Sequence, residues 1–174
     1  CSSDLKYLDV VSGVPSQRQA SYSSAGAGDA GKIVALDATG KIDSTMMPVG
    51  MAPEADSATA TEDISAGDLV NLYASSGLKA RKADATTAGK EATHFALSAV
   101  SNGQSGTFYR PSQTNTQVSG LTAGTTYFLS TTAGLTTSTA PSGSGNVVQR
   151  VGKAISATSL DFEPQSHIVL DRKS

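Results

Sequence analysis

Charge, aromatic rings and cysteine are all scarce in this chain. Of its 174 residues, 16% are charged and 5% are aromatic, and tryptophan is missing altogether. Soluble domains usually carry about 25% charged residues. Disordered tails are as a rule highly charged, so the scarcity of charge argues against a solvated tail. It suits short strands, tight turns and surfaces that pack against other protein. The net charge of −2 and a pI near 5.6 supply no basic footprint for neutralising phosphates. Direct binding to nucleic acid is therefore not expected.

Cys1 is the only cysteine, so no disulfide forms within the chain. No apolar run approaches the roughly 18 residues of a membrane helix, and no basic-then-apolar leader is present, so no membrane partner is expected. The chain opens on Cys1-Ser-Ser-Asp4. One account is loss of an initiator methionine, which is the expectation here. The other is a mature bacterial lipoprotein acylated on Cys1, which the mass of the N-terminal peptide distinguishes.

Residues that carry chemistry are equally sparse. His94 and His167 are the only histidines, and no His/Cys/carboxylate group has metal-ligand spacing. His94 sits inside an apolar stretch, where a structural role is expected. Gly26-Ala-Gly28-Asp-Ala-Gly31 spells G-x-G-x-x-G, but no buried strand precedes it and no helical pattern follows, as dinucleotide binding requires. Lys79, Arg81 and Lys82 read as a solvated strand face. Asp161 and Glu163 are paired carboxylates facing solvent. Converging groups with tuned acidity, which an enzyme needs, are not apparent. No catalytic residue, metal or cofactor is expected.

What the sequence does have is strand–turn grammar. Thr125–Ser130 (TTYFLS) combines β-branched and aromatic residues, breaks at Ala133-Gly134, and resumes at Leu135–Thr139 as a hairpin would. Pro141–Gly145 is a loop by composition. Asn146–Ser156 and Ser159–Glu163 follow as strands, the latter alternating Leu160 and Phe162 with polar neighbours. Upstream, Asp68–Ala74, Leu78–Ala83, Thr93–Ser101 and Gly106–Arg110 read as further strands, with Asn102-Gly103 as a turn. This short, regular spacing predicts an antiparallel β-sandwich or open β-barrel over 63–174.

Residues 1–62 read differently. Leu5–Val14 predicts a short strand around Tyr7, Leu8, Val10 and Val11, ended by Gly13 and Pro15. It is too short to stand alone. Ser16–Gly28 and Met51–Glu62 read as linkers. Between them, Gly31-Lys-Ile33 and Gly40-Lys-Ile42 echo each other. A strand there would carry Ile33 and Ala35 on one face, Val34 and Leu36 on the other. Two readings follow: an extended arm across neighbouring subunits, anchored by Ile33, Leu36, Ile42, Met46 and Met47, or a hairpin folded onto its own domain. The arm is the favoured expectation.

From Pro111 through Gln149 there is no Asp, Glu, Lys, Arg or His over 39 residues. Charge normally keeps surfaces soluble and blunts sheet edges, and it is depleted from interface cores. The span therefore suggests contact with sister subunits, although a solvated Ser/Thr surface is an alternative. Tyr127, Phe128 and Leu129 are the trimer-interface candidates, to be divided between core and interface.

The stretch Ser119–Pro164 resembles the small β-domains of tailed-phage virion proteins, found in capsid decoration (cement) proteins and related head or tail fibre modules. Gly67–Val100 resembles the first half of that module, and Asp29–Pro48 a connecting segment that precedes it. Together these stretches make up more than half of the chain. The resemblance implies a virion structural protein. Its foremost form is a homotrimeric cement protein that binds the major capsid protein on the outer surface of the head and bridges capsomers. A fibre or collar component of the same virion is the alternative, and an envelope lipoprotein resting on Cys1 is the third.

Overall fold

The computed structural model describes residues 6–38, 40–47 and 54–171. The chain divides into two compact units, Cys1–Ala52 and Pro53–Ser174.

The first unit opens on a hairpin of β1 (Lys6–Val11) and β2 (Val14–Gln19). Its two-residue loop, Ser12-Gly13, has φ of 53° and 81°. Two positive φ values define the type I′ turn, whose twist matches that of the flanking strands. The expected first strand is present. Its end at Gly13 is a reversal, however, and Ser16–Gln19 is strand where a linker was read. Beyond it, the strand expected through Ile33–Asp37 is a single parallel bridge between Ser21 and Val34. Single-turn 3-10 helices occur at Ala27–Asp29 and Ser44–Met46.

The glycine echo has a structural cause. Each copy lies at a turn that is opened by an aspartate and contains a left-handed glycine, with φ of 79° at Gly31 and 77° at Gly40. The Lys32 N–H donates to the Asp29 carbonyl, and the Gly40 N–H to that of Asp37.

The second unit is all-β. Five strands close a barrel in the order β3 (Ala55–Ala60), β5 (Leu78–Lys82), β4 (Leu69–Ala74), β6 (His94–Ala96) and β7 (Ser105–Tyr109), with β3 returning to β7. Every junction is antiparallel except β3–β5, which is parallel. A five-strand barrel has little room inside. Its interior is accordingly small, with Ala58, Ala60, Ala80 and Ala96 arranged around Phe108, Val70 and Ile64.

The barrel corrects three sequence readings. It is closed rather than open. Thr93–Ser101 contributes only a three-residue strand, followed by a bridge from Val100 to Ile64. And β3 lies within 51–62, the stretch read as a linker, so the division between units falls before β3 instead of at 62/63. Ala58 and Ala60 of β3 are buried. Alternation of Ala with Ser and Thr carries little hydrophobic contrast, which is why the strand was read as linker.

The remaining strands form a five-stranded sheet in the order β10 (Thr136–Thr137), β9 (Thr126–Leu129), β12 (Arg150–Ser156), β13 (Ser159–Phe162), β8 (Gln113–Asn115). A separate pair joins β11 (Val147–Val148) to β14 (Ile168–Val169). The hairpin expected from TTYFLS and the Thr-rich run is β9–β10. The strand expected over Asn146–Ser156 is broken at Gln149. That residue is buried and its amide clasps the Ala92 backbone, accepting from N–H at 2.8 Å and donating to C=O at 3.0 Å.

A larger core is shared by barrel and sheet. Leu69 and Phe95 of the barrel are buried with Tyr127, Leu129, Val151, Leu160 and Phe162 of the sheet. Leu69 faces this core while Val70 faces the barrel interior, and both are fully buried. A strand buried on both faces reads as a continuous apolar run, as Leu69-Val70 does.

Candidate functional site

The first unit has almost no core. Its buried apolar residues are Ala20 and Ala35 alone among the described residues. Leu8 is 79% exposed and Val10 66%, and Val14, Ile33, Val34, Leu36, Ile42 and Met47 are exposed as well. Met46 and Tyr7 are half-buried. The Tyr7 hydroxyl donates to the Gly31 carbonyl at 3.4 Å. The side chain of Val11 lies outside the described residues, as does Cys1.

Polar contacts hold this unit together instead. Arg18 pairs with Asp9 across the hairpin at 3.1 Å. The Ser21 N–H donates to Ile33 and the Ala35 N–H to Ser21, both to carbonyls. Asp29 accepts from the Lys32 ammonium at 2.7 Å and from the Ala25 N–H at 2.6 Å. Lys32 first, then this backbone bond, holds its carboxyl below the usual range. The glycine-rich stretch Gly26–Gly31 therefore contains a three-residue 3-10 turn whose own aspartate takes the Ala25 N–H. It does not open a helix that presents several N–H groups to a phosphate.

Most of the anchors expected from sequence thus lie on solvent-facing positions of one unit, the half-buried Tyr7 and Met46 excepted. Ile33, Leu36, Ile42 and Met47 are exposed along with Leu8 and Val10. Val14 and Val34 are exposed too and were not among the expected anchors. The signal for Val14 was the Ser12-Gly13 dipeptide, a turn marker, obscured by Pro15.

In the second unit, the uncharged span supplies β8, β9, β10 and β11. The charged strands β12 and β13 lie in the middle of the five-stranded sheet, so both sheet edges, β8 and β10, are free of charge. Edge strands are usually blunted by charge or kept very short. Here the means is length, at three and two residues. The three interface candidates divide by strand alternation. Tyr127 and Leu129 are buried in the shared core, and the Tyr127 hydroxyl accepts from the Thr122 N–H, so both are corrected to core residues. Phe128 is half-buried on the outer face, opposite Arg150 and Thr137.

His94, expected to be structural, is tied into the barrel wall. Its Nε2 lies 2.9 Å from an Asp56 oxygen, and Arg110 grips the same carboxylate with two bonds of 2.7 and 2.8 Å. A carboxylate only accepts, so Nε2 carries the proton and Nδ1 faces the Thr93 hydroxyl at 3.0 Å. That hydroxyl accepts from the Leu72 N–H and lies 3.3 Å from the Val70 carbonyl. It is held in the ladder. The group joins β3, β6 and the end of β7.

Arg110, then His94, hold the Asp56 carboxyl far below its ordinary range. Burial pushes His94 down despite the opposing pull of Asp56. Both shifts act in the same direction on stability. A depressed carboxylate loses its contribution as pH falls below its unfolded value, and a depressed histidine does so as pH falls below about 6.5. Urea unfolding should therefore show stability declining as pH falls below about 6.5, through His94, and declining again below about pH 4, through Asp56, with Asp56→Asn costing about 2 kcal/mol at pH 7. Equal stability of the parent and Asp56→Asn across those pH values would refute the linkage.

Among the described residues, no group of three His, Cys, Asp or Glu is placed to hold a metal ion. A scan against protein-family models finds no match to this chain, and a search of curated proteins finds none either.

Proposed function

We propose that the protein is a virion structural protein of the decoration type, which binds the outside of a phage head and bridges its capsomers. The observation that carries the reading is the inversion between the two units. Pro53–Ser174 has two well-formed apolar cores, while the unit before it, among its described residues, buries two alanines and exposes eight larger apolar side chains. Exposed apolar surface of that kind marks a protein interaction site. It fits an N-terminal unit that becomes covered only on assembly, as the likeness to cement proteins implies.

In this reading the N-terminal unit acts as an arm, and Ile33, Leu36, Ile42 and Met47 contact the major capsid protein. The second unit gathers three copies through its charge-free edges and Phe128. Three modest contacts held on one trimer act at high effective concentration, which makes release rare. Bridging adjacent capsomers then opposes the outward pressure of packaged DNA.

Two variants test it. A chain beginning at Pro53 retains both cores, and should keep its strand-type circular dichroism yet fail to cosediment with undecorated heads. Full-length protein should bind those heads and raise their heat-disruption temperature. Salt should matter little, because the contacts are apolar. Replacing Ile33, Leu36 and Ile42 by Asp in the full chain should abolish binding without unfolding the second unit. If the shortened chain cosediments as well as the full one, the N-terminal unit is not the grip.

A further inference from the structure

The outer edge of β1 is a strand edge with no partner among the described residues, and its two sides are not equivalent. In the hairpin, Val10 stands opposite Pro15. Proline has no N–H, so this is a pair that exchanges no hydrogen bonds. Bonded and non-bonded pairs alternate along an antiparallel ladder. Tyr7–Arg18 and Asp9–Ser16 are then bonded pairs, and Lys6, Leu8 and Val10 direct their N–H and C=O groups away from β2. The corresponding outward residues of β2 are Pro15, Gln17 and Gln19. That edge lacks a donor at Pro15 and is blunted. The β1 edge keeps every donor and acceptor, with Leu8 and Val10 exposed beside it.

We propose that β1 pairs antiparallel with β1 of a second copy, forming a four-stranded sheet about a twofold axis at Leu8. Outward residues must meet outward residues, which leaves few registers. Leu8 against Leu8 engages Lys6, Leu8 and Val10 of both copies, with Lys6 opposite Val10 and Tyr7 opposite Asp9. A shift that sets Leu8 opposite Val10 brings Asp9 against Asp9, and like charges directly opposite are destabilising. The reverse shift carries Val10 past the described strand. Parallel pairing in register sets Lys6 beside Lys6 and Asp9 beside Asp9. The self-complementary register therefore avoids every like-charge pair. It stacks Leu8 on Leu8 and lays the apolar stem of Lys6 along Val10. The interface is isologous and closed. It stands independently of any virion role, since it requires only the chain itself.

Two measurements on the full-length protein test it. In a Cys1→Ser background, Leu8→Cys places the two sulfurs across the proposed axis. The Cα separation of about 5.5 Å in a bonded antiparallel pair is within disulfide range. Mild oxidation should give covalent dimers roughly tenfold faster than Gln17→Cys, the same-face control on the blunted strand, because pairing raises the local thiol concentration. Separately, Val10→Pro removes an outward donor from β1, so the parent should sediment with at least twice the variant's mass. Equal masses for parent and Val10→Pro would overturn the proposal. So would Leu8→Cys crosslinking no faster than Gln17→Cys, the result expected if the edge accepts only a strand from another protein.

Discussion

Gly152→Ala should destabilise the second unit by about 3–5 kcal/mol, against about 1 kcal/mol for Gly145→Ala. Gly152 is buried in β12, between β9 and β13, at φ 154°. A Cβ there would overlap the Asp161 carbonyl oxygen and stand 3.0 Å from its carbon. The obstruction is backbone, which no rotamer change relieves. Relief requires β13 to move off β12, and with it Leu160 and Phe162 to leave the core. Gly145 also has a left-handed φ, 80°, but a Cβ there meets nothing within 4 Å, so only the conformational strain remains. Thermal unfolding should place Gly152→Ala about 10 °C or more below the parent. Similar melting of the two alanine variants would show that the close approach to β13 is not what demands glycine.

Phe162→Ala should cost about 3–5 kcal/mol, the range for truncating a fully buried phenylalanine. Phe162 is inaccessible to solvent and meets Phe95 edge-on, with ring centroids 5.3 Å apart at 70°. Phe95 in turn stacks on Tyr109 at 5.6 Å. These rings join sheet to barrel, so the truncation opens a cavity where the two layers meet. Phe128→Ala, on the outer face of β9, should cost about 1 kcal/mol. If Phe128 lies between sister subunits, its truncation should instead weaken self-association at low concentration. Urea midpoints of the two variants at one dilute concentration separate these effects. Equal losses would mean that Phe128 contributes to the core as much as Phe162 does.

Reading the chain without its structure was most successful where side chains contrast strongly. Leu160 and Phe162 alternate with Ser159 and Asp161, and β13 lies where that alternation puts it. Tyr127 and Leu129 likewise alternate with Thr126 and Phe128, although alternation alone left open which pair faces inward. Strands of low contrast were not legible. Ala58 and Ala60 among Ser57 and Thr59 looked like linker because a buried alanine and an exposed one differ little in composition. The exposed surface of the first unit was partly legible, since Ile33, Leu36 and Ile42 were singled out. The return strand β2 was not legible, because a proline ends most strands, whereas Pro15 sits at the edge of this one, where no N–H is needed for the hairpin.

Local sequence by itself determined the all-β class, the β9–β10 hairpin and the charge-free span. Each follows from propensities or composition within a few residues, which do not depend on distant partners. Only the tertiary structure decided that β3 closes a barrel against both β5 and β7, that the β11–β12 run breaks at Gln149, and that His94 is held by Asp56 and Arg110. Those contacts join residues far apart in the chain. Their energies come from burial and hydrogen bonding across that separation, and no local pattern records them.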